Sequence, residues 1–250
     1  MTDTRAPAKF ANTAKLDPVE RDRYETLKQT MLDLRPLFQA KTVLDYGASY
    51  GLSACALIEL GAKKVVGVEP DAARVARGVE IIHSMQLQER ISLATMGYEA
   101  RLPFRDKSFQ FVLANAVFEH IPQPRRAYFR EVWRVLAPSG HLIINETPNK
   151  YFPKDKHTTR LWFVPWLPCS AARRWAIFRG RFAADRDWRT SGWRGVGYYE
   201  IVGALDELYR LIPESSRLRH RFFTSIGLPA SLVDPYPTWI FQKQADSGTS

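Results

Sequence analysis

The sequence predicts an α/β fold in which a mostly parallel β-sheet is covered by helices on both faces. Short apolar runs of strand length alternate with longer segments of helical spacing, which is typical of strand–helix–strand units. The first apolar run ends in an acid and passes through a glycine-rich turn into a helical segment, as in sites for nucleotide-like ligands. A chain of 250 residues suits one domain over 1–250 with a full-sized core.

The first element is a helix predicted over 18–38, where Pro18 suits the first turn and apolar residues recur at helical spacing. We expect this helix to lie over the ligand-binding side of the sheet. Strands are then predicted at 41–46, 64–69, 91–95, 109–114 and 140–145. Helices are predicted near 52–60, 71–84 and 125–136.

The C-terminal part has a different pattern. An amphipathic helix is predicted over 199–212, and two closing strands are predicted at 221–224 and 238–243. Residues 150–198 do not belong to the basic fold and form an insertion that holds five of the seven tryptophans. These are Trp162, Trp166, Trp175, Trp188 and Trp193. The insertion also holds Arg160, Arg173, Arg174, Arg179, Arg181, Arg186, Arg189 and Arg194.

The most informative motif is the glycine-rich turn after the first predicted strand. Asp45 ends the apolar run, and the chain then turns through Gly47 and Gly51 into the helical segment. Glu69 ends the second strand and follows Gly51 by 18 residues. This is close to the spacing of about 20 expected for a carboxylate that accepts from ribose hydroxyls. We therefore predict a ligand that contains a ribose.

The pattern Asp-x-Gly-x-Ser-x-Gly that ends at Gly51 lacks the G-x-G-x-x-G spacing of dinucleotide sites. It resembles motif I of the class I S-adenosylmethionine-dependent methyltransferases. Further segments that resemble this family, in family order, are 97–104, 108–120 and 134–143. The resemblance implies a seven-stranded, Rossmann-like sheet that is mostly parallel with an antiparallel C-terminal strand. It also implies a methyltransferase with S-adenosylmethionine as cofactor.

The resemblance implies roles for the residues of the turn. Asp45 would orient the loop and contact the methionyl amino group, and Gly47 and Gly51 would let the backbone approach the cofactor. Ser49 stands where the family often has glycine and is small enough to serve. Glu69 would accept from both ribose hydroxyls. The alternative for Asp45 and Glu69 is a helix cap or a solvated surface acid.

Other cofactor contacts are implied further along the chain. Asp71, together with Tyr98 or Glu99, would flank the adenine, although many relatives carry Asp where Tyr98 stands. Asn115, at the end of the fourth predicted strand, would sit beneath the methionyl portion of the cofactor.

Two histidines are candidates for the base that removes a proton from an acceptor hydroxyl. His157 follows the fifth predicted strand, where family acceptors bind, and His120 follows the fourth. The alternatives are a solvated loop residue for His157 and a structural residue at a helix start for His120. Glu146 positions an acceptor hydroxyl or stabilises a turn. Asp155 and His157 supply only two metal ligands, so we predict no metal site.

The charge and the insertion favour an anionic partner. The net charge is +10, which also fits a generally basic protein without such a partner. The insertion either packs with a solvated basic face, holds an anionic glycan or glycolipid, or docks to an anionic membrane. Residues 145–157 resemble a bacterial subgroup associated with surface polysaccharide, glycolipid or lipopolysaccharide modification. Nucleic acid is not expected, because the sequence shows no recognised RNA-binding module.

We expect a cytoplasmic location, with peripheral contact at the inner membrane surface as an open alternative. Cys55 and Cys169 lie in apolar contexts without metal spacing, and the N-terminus lacks the apolar core of a signal peptide. The leading hypothesis is O-methylation of a hydroxyl on a sugar, glycolipid or lipid-linked glycan. The alternatives are a small-molecule O- or N-methyltransferase of secondary metabolism and a cofactor-binding protein without catalysis. The sequence predicts no oligomeric state.

Overall fold

The computed structural model describes residues 13–96, 101–205, 209–212 and 234–245, and seven strands within these ranges form one sheet. In chain order the strands are β1 (Thr42–Tyr46), β2 (Lys64–Glu69), β3 (Ile91–Thr95), β4 (Phe109–Asn115), β5 (Leu136–Asn145), β6 (Tyr209–Ile212) and β7 (Trp239–Lys243). Their order across the sheet is β3-β2-β1-β4-β5-β7-β6. β1 pairs in parallel with β2 and β4, β2 pairs in parallel with β3, and β6 is antiparallel to β7. The predicted sheet, mostly parallel with an antiparallel C-terminal strand, is confirmed.

The helices follow the strands in the predicted alternation. They are α1 (Pro18–Leu32), α2 (Arg35–Phe38), α3 (Leu52–Glu59), α4 (Ala72–Ser84), α5 (Arg126–Arg134), α6 (Cys169–Phe178), α7 (Trp188–Ser191) and α8 (Tyr198–Val202). Short 3₁₀ turns occur at Thr13–Lys15, Phe118–His120 and Val164–Trp166.

The described residues group into two compact units. The first contains those up to Leu113 together with Arg134–His141, and the second contains those of Ala114–Trp133 and Leu142–Gln244. The organisation as a single domain over 1–250, with 150–198 as an insertion, stays a prediction.

The apolar runs of β1 and β2 form strands because their side chains are buried in the core of the first unit. Val43 and Leu44 of β1 are fully buried, and Val43 lies beside the buried Val65 of β2 in the parallel register. Burying such a side chain contributes about 1.5–3 kcal/mol, so these apolar runs are most stable at the centre of the sheet. The carboxyl ends of β1 and β2 consequently share one edge, and Asp45 and Glu69 come at that edge.

The helix predicted over 18–38 is divided in the structure. α1 begins with a capping box, in which the carboxylates of Asp17 and Glu20 each accept from the backbone N–H of the other residue, and it ends at Leu32. α2 then covers Arg35–Phe38. The break is explained by Pro36, because proline has no N–H to donate to the carbonyl four residues earlier and its ring clashes with that carbonyl. The prediction of one continuous helix is therefore wrong.

The helix predicted over 199–212 is also wrong beyond its first turn. α8 ends at Val202, Gly203 follows as the C-cap, and Tyr209–Ile212 is strand β6. The apolar residues of this segment fit a strand when a partner is available, and β7 supplies one through the pairs Tyr209–Lys243 and Leu211–Phe241. The strand predicted at 221–224 lies outside the described residues, whereas the strand predicted at 238–243 is confirmed as β7.

The segment 150–198 has a small apolar core of its own. Val164, Ala172, Ala176 and Trp188 are buried together, and Leu161, Phe182 and Trp193 pack against them. None of the helices in the described ranges is long and apolar enough to cross a membrane.

Candidate functional site

The turn after β1 has a backbone that few sequences adopt. Gly47, Ser49 and Gly51 have φ of 79°, 49° and 70°, all in the left-handed region that favours glycine. The N–H groups of Gly47 and Ala48 donate to the carbonyl of Val68 at 2.9 and 3.0 Å, which holds the turn against the end of β2. A Cβ atom at Gly51 would lie 3.1 Å from Cδ1 of Leu93. The glycines are thus required by the path of the chain.

Asp45 is buried at the start of this turn. The Ser53 hydroxyl donates to its Oδ2 at 2.5 Å. Burial raises the pKa of Asp45 to about 7; the Ser53 hydrogen bond acts in the opposite direction and the nearby Glu69 carboxylate adds to the increase. The side chain neither caps α3, whose N-cap is Gly51, nor faces solvent. Asp45 is therefore neither a helix cap nor a solvated surface acid.

Glu69 joins the turn after β1 to the turn after β2. Its Oε2 accepts from the N–H of Ser49 at 3.0 Å, and its Oε1 accepts from the N–H of Asp71 at 3.3 Å. The carboxylate is buried, with Nη1 of Arg74 at 3.9 Å. An ionised carboxylate has about four lone-pair sites, so each oxygen can accept one further hydrogen bond. Glu69 is therefore equipped to hold a vicinal diol such as that of ribose.

The residues expected around the adenine are only partly described. Oδ1 of Asp71 accepts from the N–H groups of Ala73 and Arg74 at 2.9 and 3.2 Å, so this side chain caps α4. Tyr98 and Glu99 lie outside the described residues. Their roles stay predictions.

In the second unit, Asn115 belongs to a chain of amide and carboxylate hydrogen bonds. Thr238 donates to Asn145 at 2.8 Å, Asn145 donates to Asn115 at 2.9 Å, and Nδ2 of Asn115 donates to Oε2 of Glu146 at 2.9 Å. Glu146 has a left-handed φ of 52°, so its backbone is strained where β5 ends. Sequence reasoning missed Asn145 as the residue that orients Asn115, although a polar residue ending an apolar strand was a usable signal.

The two candidate bases, His120 and His157, come together in the structure. Their ring centroids are 6.1 Å apart, and both side chains are exposed. Nε2 of His120 lies 3.9 Å from Oε1 of Glu119, which is buried. Burial raises the pKa of Glu119 to about 7, while the Thr147 hydroxyl, at 3.2 Å from Oε2, acts to lower it. Glu119 was missed from the sequence, although it directly precedes His120.

Asp155 shapes the loop that carries His157. Its Oδ1 accepts from the N–H groups of His157 and Thr158, both at 2.8 Å. Its Oδ2 accepts from the N–H and the hydroxyl of Thr159, both at 2.7 Å. With both oxygens occupied and the side chain fully buried, Asp155 is a positioning residue. The lone pairs of the Asp155 carboxylate are therefore used within its own loop, and Asp155 does not serve with His157 as a pair of metal ligands.

Arg125, which no sequence pattern singles out, is a buried arginine that binds the carbonyl next to His120 in the chain and links it to residues 194–200. The Arg125 guanidinium donates to the carbonyls of Ile121, Arg194 and Gly195 at 2.9, 3.1 and 3.2 Å, and to Oε1 of Glu200 at 3.3 Å. Such a residue cannot be recognised from sequence, because its partners come from three separate segments.

The tryptophans of 150–198 divide into two groups. Trp188 is buried and Trp193 packs against it, as simple packing predicts. Trp162, Trp166 and Trp175 are exposed by 53%, 58% and 36%, and Phe163 by 55%. Packing accounts for the first group only. We call Trp162, Phe163 and Trp166, which form a continuous chain of ring contacts, the aromatic patch.

Comparison with known proteins supports the methyltransferase resemblance. Residues 44–144 match the family model described as a methyltransferase domain. An uncharacterized methyltransferase of Mycobacteroides abscessus is 31% identical over 144 residues, which are 57% of this chain and 52% of that protein. The match thus spans about half the length of that relative. A demethylmenaquinone methyltransferase of Beutenbergia cavernae is 27% identical over 200 residues, covering 73% of this chain and 78% of that protein.

The fold agrees with solved structures. A SAM-dependent methyltransferase from Methanosarcina mazei superimposes with a TM-score of 0.53 at 20% sequence identity, over 86% of this chain and 98% of that one. At this identity the likeness shows the fold alone.

The residues of the first unit fit S-adenosylmethionine, the cofactor of this domain family. Glu69 is a buried acid with free lone pairs at the end of β2, and the turn through Gly47 and Gly51 contributes no bulky side chain. The turn has no set of glycine N–H groups in the G-x-G-x-x-G pattern that a pyrophosphate requires.

Proposed function

We propose, on the premise that residues 44–144 form a class I S-adenosylmethionine-dependent methyltransferase domain, that this protein methylates a hydroxyl group of a sugar, glycolipid or lipid-linked glycan. The observation that carries the choice of a hydroxyl acceptor is the pair of His120 and His157 beside the buried Glu119. An amine with a free lone pair needs less help from a base than a hydroxyl does, because a hydroxyl becomes a strong nucleophile only when it loses its proton.

Cofactor binding is assigned to residues at the strand ends and in the turns that follow them. Glu69 accepts from the ribose hydroxyls, and Asp45 contacts the methionyl amino group while the glycine turn lies alongside. Asp71, together with Tyr98 or Glu99, flanks the adenine, and Asn115, oriented by Asn145 and Glu146, supports the methionyl portion. When bound, S-adenosylmethionine supplies a methyl group on a cationic sulfur, so the protein mainly has to align the nucleophile.

The pair of His120 and His157 handles the acceptor proton in this proposal. His157 or His120 takes the proton from the hydroxyl, and the Glu119 carboxylate stabilises the imidazolium that results. A base placed in this way contributes about 10²–10⁴-fold to the rate. Asp155 accepts from the N–H of His157, and Arg125 donates to the carbonyl of Ile121, the residue after His120.

The aromatic patch supports the acceptor class. Its rings are exposed, the Lys154 ammonium lies 5.3 Å from the centre of the Trp162 ring, and the Arg179 guanidinium lies 5.3 Å from that of Trp175. Exposed tryptophan next to basic side chains suits sugar rings that carry phosphate or carboxylate, and it suits an anionic membrane surface. The net charge of +10 acts in the same direction. The location proposed with it is the cytoplasm, with peripheral contact at the inner membrane surface as the alternative.

The test combines cofactor binding with turnover. Calorimetric titration with S-adenosylmethionine and S-adenosylhomocysteine should show one site in wild type and in His157→Ala. Transfer of labelled methyl groups to a panel of glycolipids and glycans should fall at least 100-fold in His157→Ala or His120→Ala. His83→Ala, which changes an exposed histidine of α4, is the matched control and should behave as wild type.

Three results would count against the proposal in different ways. Absence of cofactor binding would refute the transferase premise. Binding with methylation of small amines or phenols alone would favour a small-molecule enzyme of secondary metabolism. Binding without turnover on any acceptor, unaffected by the histidine variants, would indicate a cofactor-binding protein without catalysis.

A further inference from the structure

We infer that Glu119, His120 and His157 form a binding site for a divalent transition-metal ion of the Zn²⁺ type. One ligand atom from each of the three residues lies within 4.8 Å of the other two. Two imidazoles with one carboxylate are a donor set that suits Zn²⁺ and Fe²⁺, and less so the harder Mg²⁺. The sequence concealed this set, because His157 is distant from the Glu119–His120 pair along the chain.

The separations are compatible with coordination after a small movement. Ligand atoms of a tetrahedral Zn²⁺ site, with bonds of about 2.0–2.1 Å, are about 3.3 Å apart. Nε2 of His120 and Oε1 of Glu119 are already 3.9 Å apart. The His120 side chain is 61% exposed and His157 is exposed as well, so both rings can turn inward without disturbing a packed core.

The carboxylate supplies an independent reason. Oε1 of Glu119 is buried and accepts no hydrogen bond from the described residues, whereas Oε2 accepts from Thr147. Buried acceptors are normally satisfied, and this one points towards His120. A cation between the three side chains would satisfy it.

The surrounding residues hold the ligands as the partners of metal ligands usually do. The Thr147 hydroxyl donates to Oε2 of Glu119 and so orients its carboxylate. The backbone N–H of His157 donates to Oδ1 of Asp155 at 2.8 Å, which fixes the loop that carries His157. Arg194, held by its own carbonyl to Arg125, donates to the carbonyl of His120 at 3.4 Å.

Three protein ligands leave at least one position open, as in catalytic zinc sites. With a cation held by Glu119, His120 and His157, the imidazoles would act as ligands and the cation would lower the pKa of a coordinated acceptor hydroxyl, whose proton would pass to water. The resulting oxyanion would form a bond to the methyl carbon as the carbon–sulfur bond of S-adenosylmethionine breaks, which releases S-adenosylhomocysteine. This role rests on the proposed methyl transfer, whereas the cation site itself does not.

The experiment is a titration of metal-stripped, full-length protein with Zn²⁺ against a chromophoric competitor, repeated with Co²⁺ for its visible absorption. We expect one tight equivalent of Zn²⁺ and a Co²⁺ spectrum of low coordination number with nitrogen ligands. His120→Ala, His157→Ala and Glu119→Gln should each weaken binding by 10–100-fold or more. His83→Ala and Cys169→Ser, which change exposed side chains elsewhere, should bind as wild type.

Weak binding without a defined stoichiometry, or tight binding that survives in both His120→Ala and His157→Ala, would overturn the inference. Thermal melts of the variants verify that each is folded. Cofactor titration of the same samples separates the two proposals. If the cation site does not exist, the protein still binds S-adenosylmethionine. If the protein is not a methyltransferase, it still binds Zn²⁺ but not S-adenosylmethionine.

Discussion

Replacing Asp45 by Asn should stabilise the cofactor-free protein at neutral pH. Burial raises the pKa of Asp45 from the ordinary 3.8 to about 7, with a smaller contribution from the charge of Glu69. In the pH window between these values the unfolded chain has released a proton that the folded chain retains. Stability is therefore lost as the pH rises from about 4 to about 7, and the loss is complete above 7.

The size of the effect follows from the same two values. At about 1.4 kcal/mol for each pKa unit, the difference between 3.8 and about 7 amounts to about 4 kcal/mol above pH 7 and about 2 kcal/mol at pH 5. Asn is nearly isosteric with Asp, and its side-chain oxygen still accepts from Ser53. For a chain of this length, about 4 kcal/mol corresponds to an increase in Tm of roughly 8–16 °C.

The assay is thermal unfolding followed by circular dichroism at pH 5 and pH 8, on protein stripped of cofactor. Asp71→Asn is the matched control, because Asp71 is an exposed cap of α4 and Asn caps a helix equally well. The control should shift Tm by little at either pH. If Asp45→Asn gives the same shift at both pH values, or lowers Tm at pH 8, then the buried carboxyl is not the proton-binding group that we describe.

Three further predictions concern separate parts of the molecule. Glu69→Ala should weaken S-adenosylmethionine binding at least 100-fold in calorimetry, whereas Glu80→Ala on the exposed face of α4 should not; equal affinity in the two variants would remove the ribose assignment. Arg125→Ala leaves buried carbonyls without their donor, so it should lower the free energy of unfolding, measured in urea, by about 3 kcal/mol. A decrease of less than about 1 kcal/mol would show that water replaces the guanidinium as donor. Trp162→Ala should weaken co-sedimentation with vesicles containing anionic lipid several-fold, whereas Val19→Ala, also exposed, should not; unchanged sedimentation would argue against membrane contact through the aromatic patch.

Local sequence patterns were sufficient for the centre of the fold and for the placement of Asp45 and Glu69 at one edge of the sheet. The strands β1 and β2 are recognisable because their buried apolar runs are stable only inside a sheet. Asp45 and Glu69 could be brought to one edge from the sequence alone, because parallel neighbours end at the same edge. The division of the first helix was also available from Pro36, although the helical spacing of the apolar residues concealed it.

The α/β class, the glycine turn and the acid at the end of β2 follow from sequence patterns, since each depends on contacts between residues near in the chain or on adjacent strands. That Tyr209–Ile212 is a strand is visible only in the folded chain, because the hydrogen-bonding partner comes from β7. The same holds for the meeting of Glu119 and His120 with His157, and for the contacts of Arg125 with the carbonyls of Ile121 and Arg194. Such groupings depend on where separate loops are held, and the donors that hold them carry no periodic signal along the chain.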